Sequence, residues 1–221
     1  MISKIKDLEN FFKNKNFHKI LIISGKKSFK KIEGNKLISS FLNKEKKEIF
    51  YYFKENPYPE VKELKKIIFF IKKIKPHIIL AIGGGSVIDY AKIANIKDLA
   101  IDTSLKIKNK NYNTKKKISR LVVLPTTAGS GAEVTSSAVI YLNKIKYSVE
   151  GEGIVPDYFF LLPQLIVQNN KKLKSSAGFD AISQSIESII SVRSNKKSLF
   201  FAKKSLQLSL PNFTNFYNNP N

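Results

Sequence analysis

The stretch IILAIGGGSVIDYAK, residues 78–92, decides how this chain folds. Its apolar start, residues 78–82, is typical of a strand buried in a parallel sheet, and Gly83, Gly84 and Gly85 end that strand. A triple glycine alone is as often an ordinary tight turn as a binding turn, and this one lacks the GxGxxG spacing. Here, however, it opens a helix, whose first N–H groups and partial positive charge attract anions. The context therefore favours a phosphate-binding turn.

Strands and helices alternate on the N-terminal side of this stretch. Residues 19–24 and 49–53 have the short apolar pattern of strands, whereas residues 28–42 and 59–73 have helical spacing. This alternation predicts an α/β fold, a Rossmann-like doubly wound parallel sheet with right-handed crossovers.

Beyond this stretch, residues 106–117 are mostly polar and are predicted as a surface loop, and residues 121–124 as a core strand. Residues 139–142 and 147–149 have the pattern of a β-hairpin.

From Pro163 onward only helices are predicted, at residues 180–191 and 197–210, with Pro211 ending the second. We therefore place a domain boundary near Leu162, between an α/β domain of residues 1–162 and a helical region of residues 163–221.

The composition excludes several classes of protein. The chain has no cysteine, which rules out disulfides and thiolate metal sites and favours a cytoplasmic location. Its first residues lack the apolar core of a signal peptide, and its apolar runs are too short to span a bilayer. No membrane association is expected.

The formal net charge of +22 would suit a polyanionic partner such as nucleic acid. Against that reading, the only arginines are Arg120 and Arg193, and the lysines are spread along the chain. A composition biased towards lysine and asparagine explains the charge better, so nucleic-acid binding ranks third among the possible functions.

A second segment, LPTTAGSGAEVT at residues 124–135, gathers hydroxyls and glycines after a predicted core strand. Such groups suit contacts with phosphate, ribose or a carboxamide, although a loop of this kind is more often structural when it occurs alone.

Together the two segments resemble the iron-containing (group III) alcohol dehydrogenase family, whose members carry GGGSxxDxAK and PTTAGTGSE in this order. The resemblance continues through Lys146, Pro156 and GFDAISQSIES at residues 178–188. It implies an NAD(P)H-dependent dehydrogenase that reduces small aldehydes to alcohols, with a nucleotide-binding domain followed by an all-helical metal-binding domain. By this resemblance Asp89 would touch the substrate or the nicotinamide. The residues implied to bind the cofactor are Gly25, Gly83, Gly84, Gly85, Ser86, Thr126, Thr127 and Lys146.

Cofactor preference can be argued at the end of the first strand. Many relatives have an aspartate there that accepts a hydrogen bond from the ribose 2′-hydroxyl, whereas this chain has Gly25 followed by Lys26 and Lys27. Without the carboxylate a 2′-phosphate is not repelled, so we expect NADP to be favoured over NAD.

The metal site implied by the resemblance is incomplete. The family pairs an aspartate with a histidine four residues later to bind Fe(II) or Zn(II), and the corresponding residues here are Asp180 and Gln184. The only histidines, His18 and His77, flank predicted strands and are expected to be structural. Glutamine at this position, with the flanking sequences, resembles a branch of phosphonoacetaldehyde reductases, so an anionic aldehyde would suit the lysine-rich chain.

The chain is also shorter than the family's members, which indicates truncation in the metal-binding domain. Two alternatives therefore stay open beside the active enzyme: a nucleotide-binding remnant without catalysis, and one piece of a split enzyme whose C-terminal half is a separate chain. A homodimer is a further possible assembly.

Overall fold

A computed structural model describes residues 3–15, 17–42, 47–167 and 169–218 of the chain. Contacts divide the chain into two compact units. The first comprises Met1–Thr126 with Ala132–Leu162, and the second comprises Thr127–Gly131 with Pro163–Asn221.

The first unit is built on a parallel sheet. Its described strands are β1 (Lys19–Gly25), β2 (Glu48–Lys54), β3 (Ile78–Gly83), β4 (Arg120–Pro125), β5 (Ser137–Leu142), β6 (Ile145–Glu150) and β7 (Tyr158–Phe159). Five of them form a parallel sheet in the order β2-β1-β3-β4-β7, and β5 and β6 form an antiparallel hairpin. The doubly wound prediction is confirmed.

Six α-helices belong to the described part of this unit: α1 (Ile5–Lys13), α2 (Lys26–Lys31), α3 (Gly34–Phe41), α4 (Val61–Ile74), α5 (Gly85–Ala94) and α6 (Thr103–Lys108). Every residue of β3 is buried, as expected for a central strand. Helix α4 buries a stripe of Leu64, Ile67 and Ile71 against the same core, which also contains Tyr90 of α5.

The strand order reverses between β1 and β3. The chain passes from β1 to β2 on one side and from β3 to β4 on the other. The Ser24 hydroxyl joins the carboxyl ends of the two strands by donating to the Ile82 carbonyl at 2.6 Å. In open α/β sheets, ligands bind in the crevice outside such a switch point. The fold therefore places the crevice between Gly25 and the triple glycine.

Two sequence predictions need correction in this unit. The single helix predicted for residues 28–42 is two helices, because Glu33 adopts a left-handed conformation (φ 48°) that separates α2 from α3. The loop predicted for residues 106–117 begins inside α6. The polar composition indicated solvent exposure, which does not distinguish a loop from a short helix on the surface.

The second unit contains α7 (Gln164–Val167), α8 (Lys171–Ile190) and α9 (Lys196–Asn218). The prediction that Pro211 ends the last helix was wrong, because α9 continues through it. Proline at position 211 lacks the N–H that would donate to the Gln207 carbonyl, and Asn212 Nδ2 donates to the neighbouring Leu208 carbonyl at 2.8 Å. Among the residues described in both units, no helix is long and apolar enough to cross a membrane.

Candidate cofactor site

The triple-glycine turn lies at the carboxyl end of β3, where α5 begins. Gly84 is the N-cap of this helix and offers no side chain to cap it, so first-turn N–H groups are left for a ligand or solvent. Glycine is required at position 83 for packing, because an added Cβ would lie 2.5 Å from Val87 Cγ2. The turn thus follows a buried strand and opens a helix, which is the context that an anion-binding turn needs.

Thr126 and Gly25 flank this turn on its two sides. The Thr126 N–H donates to the Gly83 carbonyl at 3.0 Å, which holds the start of the second motif beside the first. On the other side, Gly25 ends β1, the strand paired with β3. The structure therefore brings Gly25, Gly83, Gly84, Gly85, Ser86 and Thr126 to one edge of the sheet.

Asp89 and Lys92 project from α5 onto strand β5 and the segment before it. The buried Lys92 ammonium donates to the Thr135 carbonyl (2.7 Å), the Thr135 hydroxyl (2.9 Å) and the Ser137 carbonyl (3.0 Å). The Asp89 carboxylate accepts a hydrogen bond from the Val139 backbone N–H. Both side chains thus satisfy backbone groups of one extended segment.

Burial shifts the titration of both groups. It raises the pKa of Asp89 to about 7, against the opposing attraction of Lys92 and Lys146 and the Val139 hydrogen bond. It lowers the pKa of Lys92 to about 8, against the opposing attraction of Asp89 and Glu133. A carboxyl group that exchanges its proton near neutral pH is thus found next to the glycine turn, on the same helix.

Sequence reasoning did not single out Lys92 as a site residue, although it ends the motif. The available signal was a lysine three residues after Asp89 in an otherwise apolar helix, which places the two side chains on one face. Lys146, which had been singled out, lies exposed on β6, and its charge favours the ionised form of Asp89.

The rest of the second motif, from Thr127 to Gly131, belongs to the second unit. An added Cβ at Gly129 would lie 2.6 Å from the Ala177 carbonyl oxygen, so glycine permits the loop's close approach to α8. Within this unit Gly129, Ser130, Gly131 and Gln184 line a cavity of about 270 Å³ together with several serines.

Asp180 and Gln184 do not fit a transition-metal ion by themselves. Both are exposed on α8, and they offer one carboxylate and one neutral amide, whereas such ions take four or more donors. Across the described parts of the chain, no group of three or more His, Cys, Asp or Glu side chains could hold a metal ion.

Comparison with known proteins matches the family described as iron-containing alcohol dehydrogenase to residues 2–163. Long-chain-alcohol dehydrogenase 1 of Geobacillus thermodenitrificans is 27% identical over 174 residues, covering 77% of this chain and 44% of that protein. This chain therefore spans less than half the length of that relative.

Solved structures share the fold. NADH-dependent butanol dehydrogenase A from Thermotoga maritima superposes with a TM-score of 0.86 at 23% identity, covering 98% of this chain and 55% of its own. Sulfoacetaldehyde reductase from Bifidobacterium kashiwanohense, solved in complex with NAD+, gives 0.81 at 21% identity, covering 99% of this chain and 59% of its own.

Proposed function

Because this chain belongs to the iron-containing alcohol dehydrogenase family, we propose that it binds a nicotinamide dinucleotide and serves in the reduction of a small aldehyde to an alcohol. One observation carries the proposal: the triple-glycine turn opens α5 beside the switch point between β1 and β3. Dinucleotides bind at such a crevice, with the pyrophosphate at a helix N-terminus.

The proposal gives a role to each group of residues at the carboxyl edge of the sheet. The backbone of Gly83, Gly84, Gly85 and Ser86 holds the pyrophosphate, because their N–H groups lie at the start of a helix of ten residues. Thr126 and Thr127 line the nucleotide site, and Lys146 supplies positive charge on the hairpin.

When bound, the reduced nicotinamide supplies a hydride to the aldehyde carbon, and a proton must reach the carbonyl oxygen. We assign Asp89 to the contact with substrate or nicotinamide. Its pKa of about 7 supports this role, because a group that gains and loses a proton near neutral pH is suited to general acid–base catalysis. The hydrogen bond from the Val139 N–H fixes the direction of the carboxylate.

Asp180 and Gln184 enter the proposal as polar groups for the substrate, without any step through a metal ion. Gln184 lines the serine-rich cavity of the second unit, which supports a contact with a polar ligand.

The cofactor proposal includes a preference for NADP over NAD, which is argued from Gly25. The two structural neighbours named above are an NADH-dependent enzyme and a complex with NAD+. Unlike an acidic residue, Gly25 does not repel a 2′-phosphate. Lys26 and Lys27, which follow it, are exposed. An added Cβ at Gly25 would lie 2.9 Å from the Ser28 hydroxyl, a side chain that can rotate away.

Titration of the purified chain with NADPH and NADH, followed by nucleotide fluorescence, tests both points. We expect the unchanged chain to bind both nucleotides, with tighter binding of NADPH. In Gly25→Asp we expect the preference to invert, so that NADH binds about tenfold, or 1.4 kcal/mol, more tightly than NADPH. Lys30→Asp, which adds a carboxylate further along α2, is the matched control. Absence of binding at millimolar nucleotide would reject the function, whereas a tenfold preference of the unchanged chain for NADH would reject only the NADP assignment.

For the substrate we propose a small aldehyde that carries an anionic group, such as phosphonoacetaldehyde. The charge of the chain and the lysines near Asp89 support it. Oxidation of NADPH, followed by absorbance with phosphonoacetaldehyde and with propanal, tests the preference. Equal kcat/KM values for the two aldehydes would reject the anionic class.

A further inference from the structure

We propose that Glu63 is a positioning residue of the cofactor site, where it fixes the loop of residues 55–60 as a wall of the crevice. The inference rests on the proposed function, since it concerns the same carboxyl edge of the sheet. Glu63 lies on α4, outside both sequence motifs.

Glu63 is 2% exposed, and its carboxylate accepts four hydrogen bonds. Oε1 accepts from the Glu55 N–H at 2.6 Å. Oε2 accepts from the Asn56 N–H (3.1 Å), from Asn56 Nδ2 (3.0 Å) and from the Tyr90 hydroxyl (3.0 Å). The first two residues of the loop are therefore held by one buried carboxylate.

Other elements hold the rest of the loop. Lys54 Nζ donates to the Asn56 carbonyl at 2.5 Å and to the Pro57 carbonyl at 3.2 Å. The Tyr141 N–H of β5 donates to the Pro59 carbonyl at 2.7 Å, and the Glu60 N–H donates to the Tyr90 hydroxyl at 2.7 Å. Backbone groups from one end of the loop to the other thus have partners outside it.

The two ends of the loop contact elements that border the crevice. Its first residue follows Lys54, which is the register partner of Gly25 across the β1–β2 pair. Its last residue is bonded to Tyr90, on the helix that starts at the triple glycine. The same carboxylate therefore links the side of the crevice at Gly25 to the helix that opens at the pyrophosphate turn.

Burial of a carboxylate is costly unless its lone pairs are filled, so a network of this kind specifies one loop conformation. Most connecting loops are left mobile at the surface. A loop ordered before the ligand arrives spares the ligand the entropy cost of ordering it, and this raises affinity.

Glu63→Gln tests the proposal. Glutamine has nearly the same shape, but its NH2 group would face a backbone N–H instead of accepting from it. We expect the dissociation constant of NADPH to rise about tenfold, because the entropy cost of ordering the loop then falls on the binding step. Amide hydrogen exchange at Glu55 and Asn56 should accelerate in the same variant.

Asn95→Ala is the matched control, since it removes a buried polar side chain from the other end of α5. Asn95 Nδ2 donates to the Ser119 carbonyl at 2.8 Å, and its Oδ1 accepts from the Ser119 N–H at 2.9 Å. A residue that only stabilises the fold should behave as this control does. We expect Asn95→Ala to lower the unfolding temperature and leave NADPH affinity unchanged when measured where both variants are folded.

Tyr90→Phe keeps the proposal testable if Glu63→Gln does not fold, because it removes only the hydroxyl shared with Glu60 and Glu63. It should weaken NADPH binding in the same direction. The proposal is overturned if the folded variants bind NADPH as tightly as the unchanged chain. If the unchanged chain binds no dinucleotide, the proposed function fails instead.

Discussion

Asp89 and Lys92 lie one turn apart on α5 and use opposite charges to hold one extended segment. Lys92 donates to the carbonyls of Thr135 and Ser137, and Asp89 accepts from the N–H of Val139. The pair therefore serves as a partner for the backbone of β5, in addition to any role towards a ligand. The sequence motif alone does not separate these roles, because both need the same residue types at the same spacing.

Replacement of Asp89 by Asn should change how stability depends on pH. Burial raises the folded-state pKa of Asp89 from its ordinary 3.8 to about 7. Between these values the folded chain keeps a proton that the unfolded chain releases, so this group makes stability fall as pH rises through the window. Asparagine does not titrate. Urea unfolding at pH 5 and at pH 7.5 should show a smaller pH-dependent loss for Asp89→Asn than for the unchanged chain, and an equal loss would contradict the shift.

The elements that sequence predicted well are those with a strong period and clear ends. Strand β3 is an uninterrupted apolar run closed by glycines, and α4 repeats apolar residues on one face. Helix α1 and strand β7 escaped prediction because both are short: the first has nine residues and the second only two. The continuation of α9 through Pro211 was missed because a tertiary fold can tolerate a proline that local preference would place at a helix end.

The hairpin turn between β5 and β6 offers a test at the level of an element. Asn143 and Lys144 both have positive φ angles, 49° and 68°, which a two-residue hairpin turn of type I′ requires. Lysine is disfavoured there, so Lys144→Gly should raise the free energy of unfolding by about 0.5–1 kcal/mol. Ser148→Gly, within β6, should lower it by a similar amount, about 0.5–1 kcal/mol. Chemical denaturation measures both, and a loss of stability in Lys144→Gly would contradict the turn assignment.

For the molecule as a whole, the two motifs predicted the edge of the sheet where the candidate site lies. They could do so because strand–turn–helix order along the chain determines which loops share the carboxyl edge of a parallel sheet. Glu63 was not predictable in this way. Its role depends on contacts with Glu55 and Asn56 of one loop and with Tyr90 of α5, which follow no fixed spacing along the sequence.

Helices α8 and α9 expose large apolar side chains that should govern the behaviour of the chain in solution. Ile190 is 74% exposed, Phe200 60% and Leu208 62%. Soluble monomers seldom leave extended apolar patches open to water, so we expect concentration-dependent self-association. Replacing these three residues by glutamine should reduce it, and because they are exposed each change should alter stability by no more than about 0.5 kcal/mol.

Sedimentation velocity over a range of concentrations measures this effect. The matched control replaces Phe69 and Ile101 of the first unit by glutamine, since they are 70% and 68% exposed. If α8 and α9 drive association, the control should self-associate as the unchanged chain does, while the helical variant should associate less. If all three proteins associate equally, α8 and α9 do not drive the association. Substitutions outside a contact leave the apolar area that this contact buries unaltered.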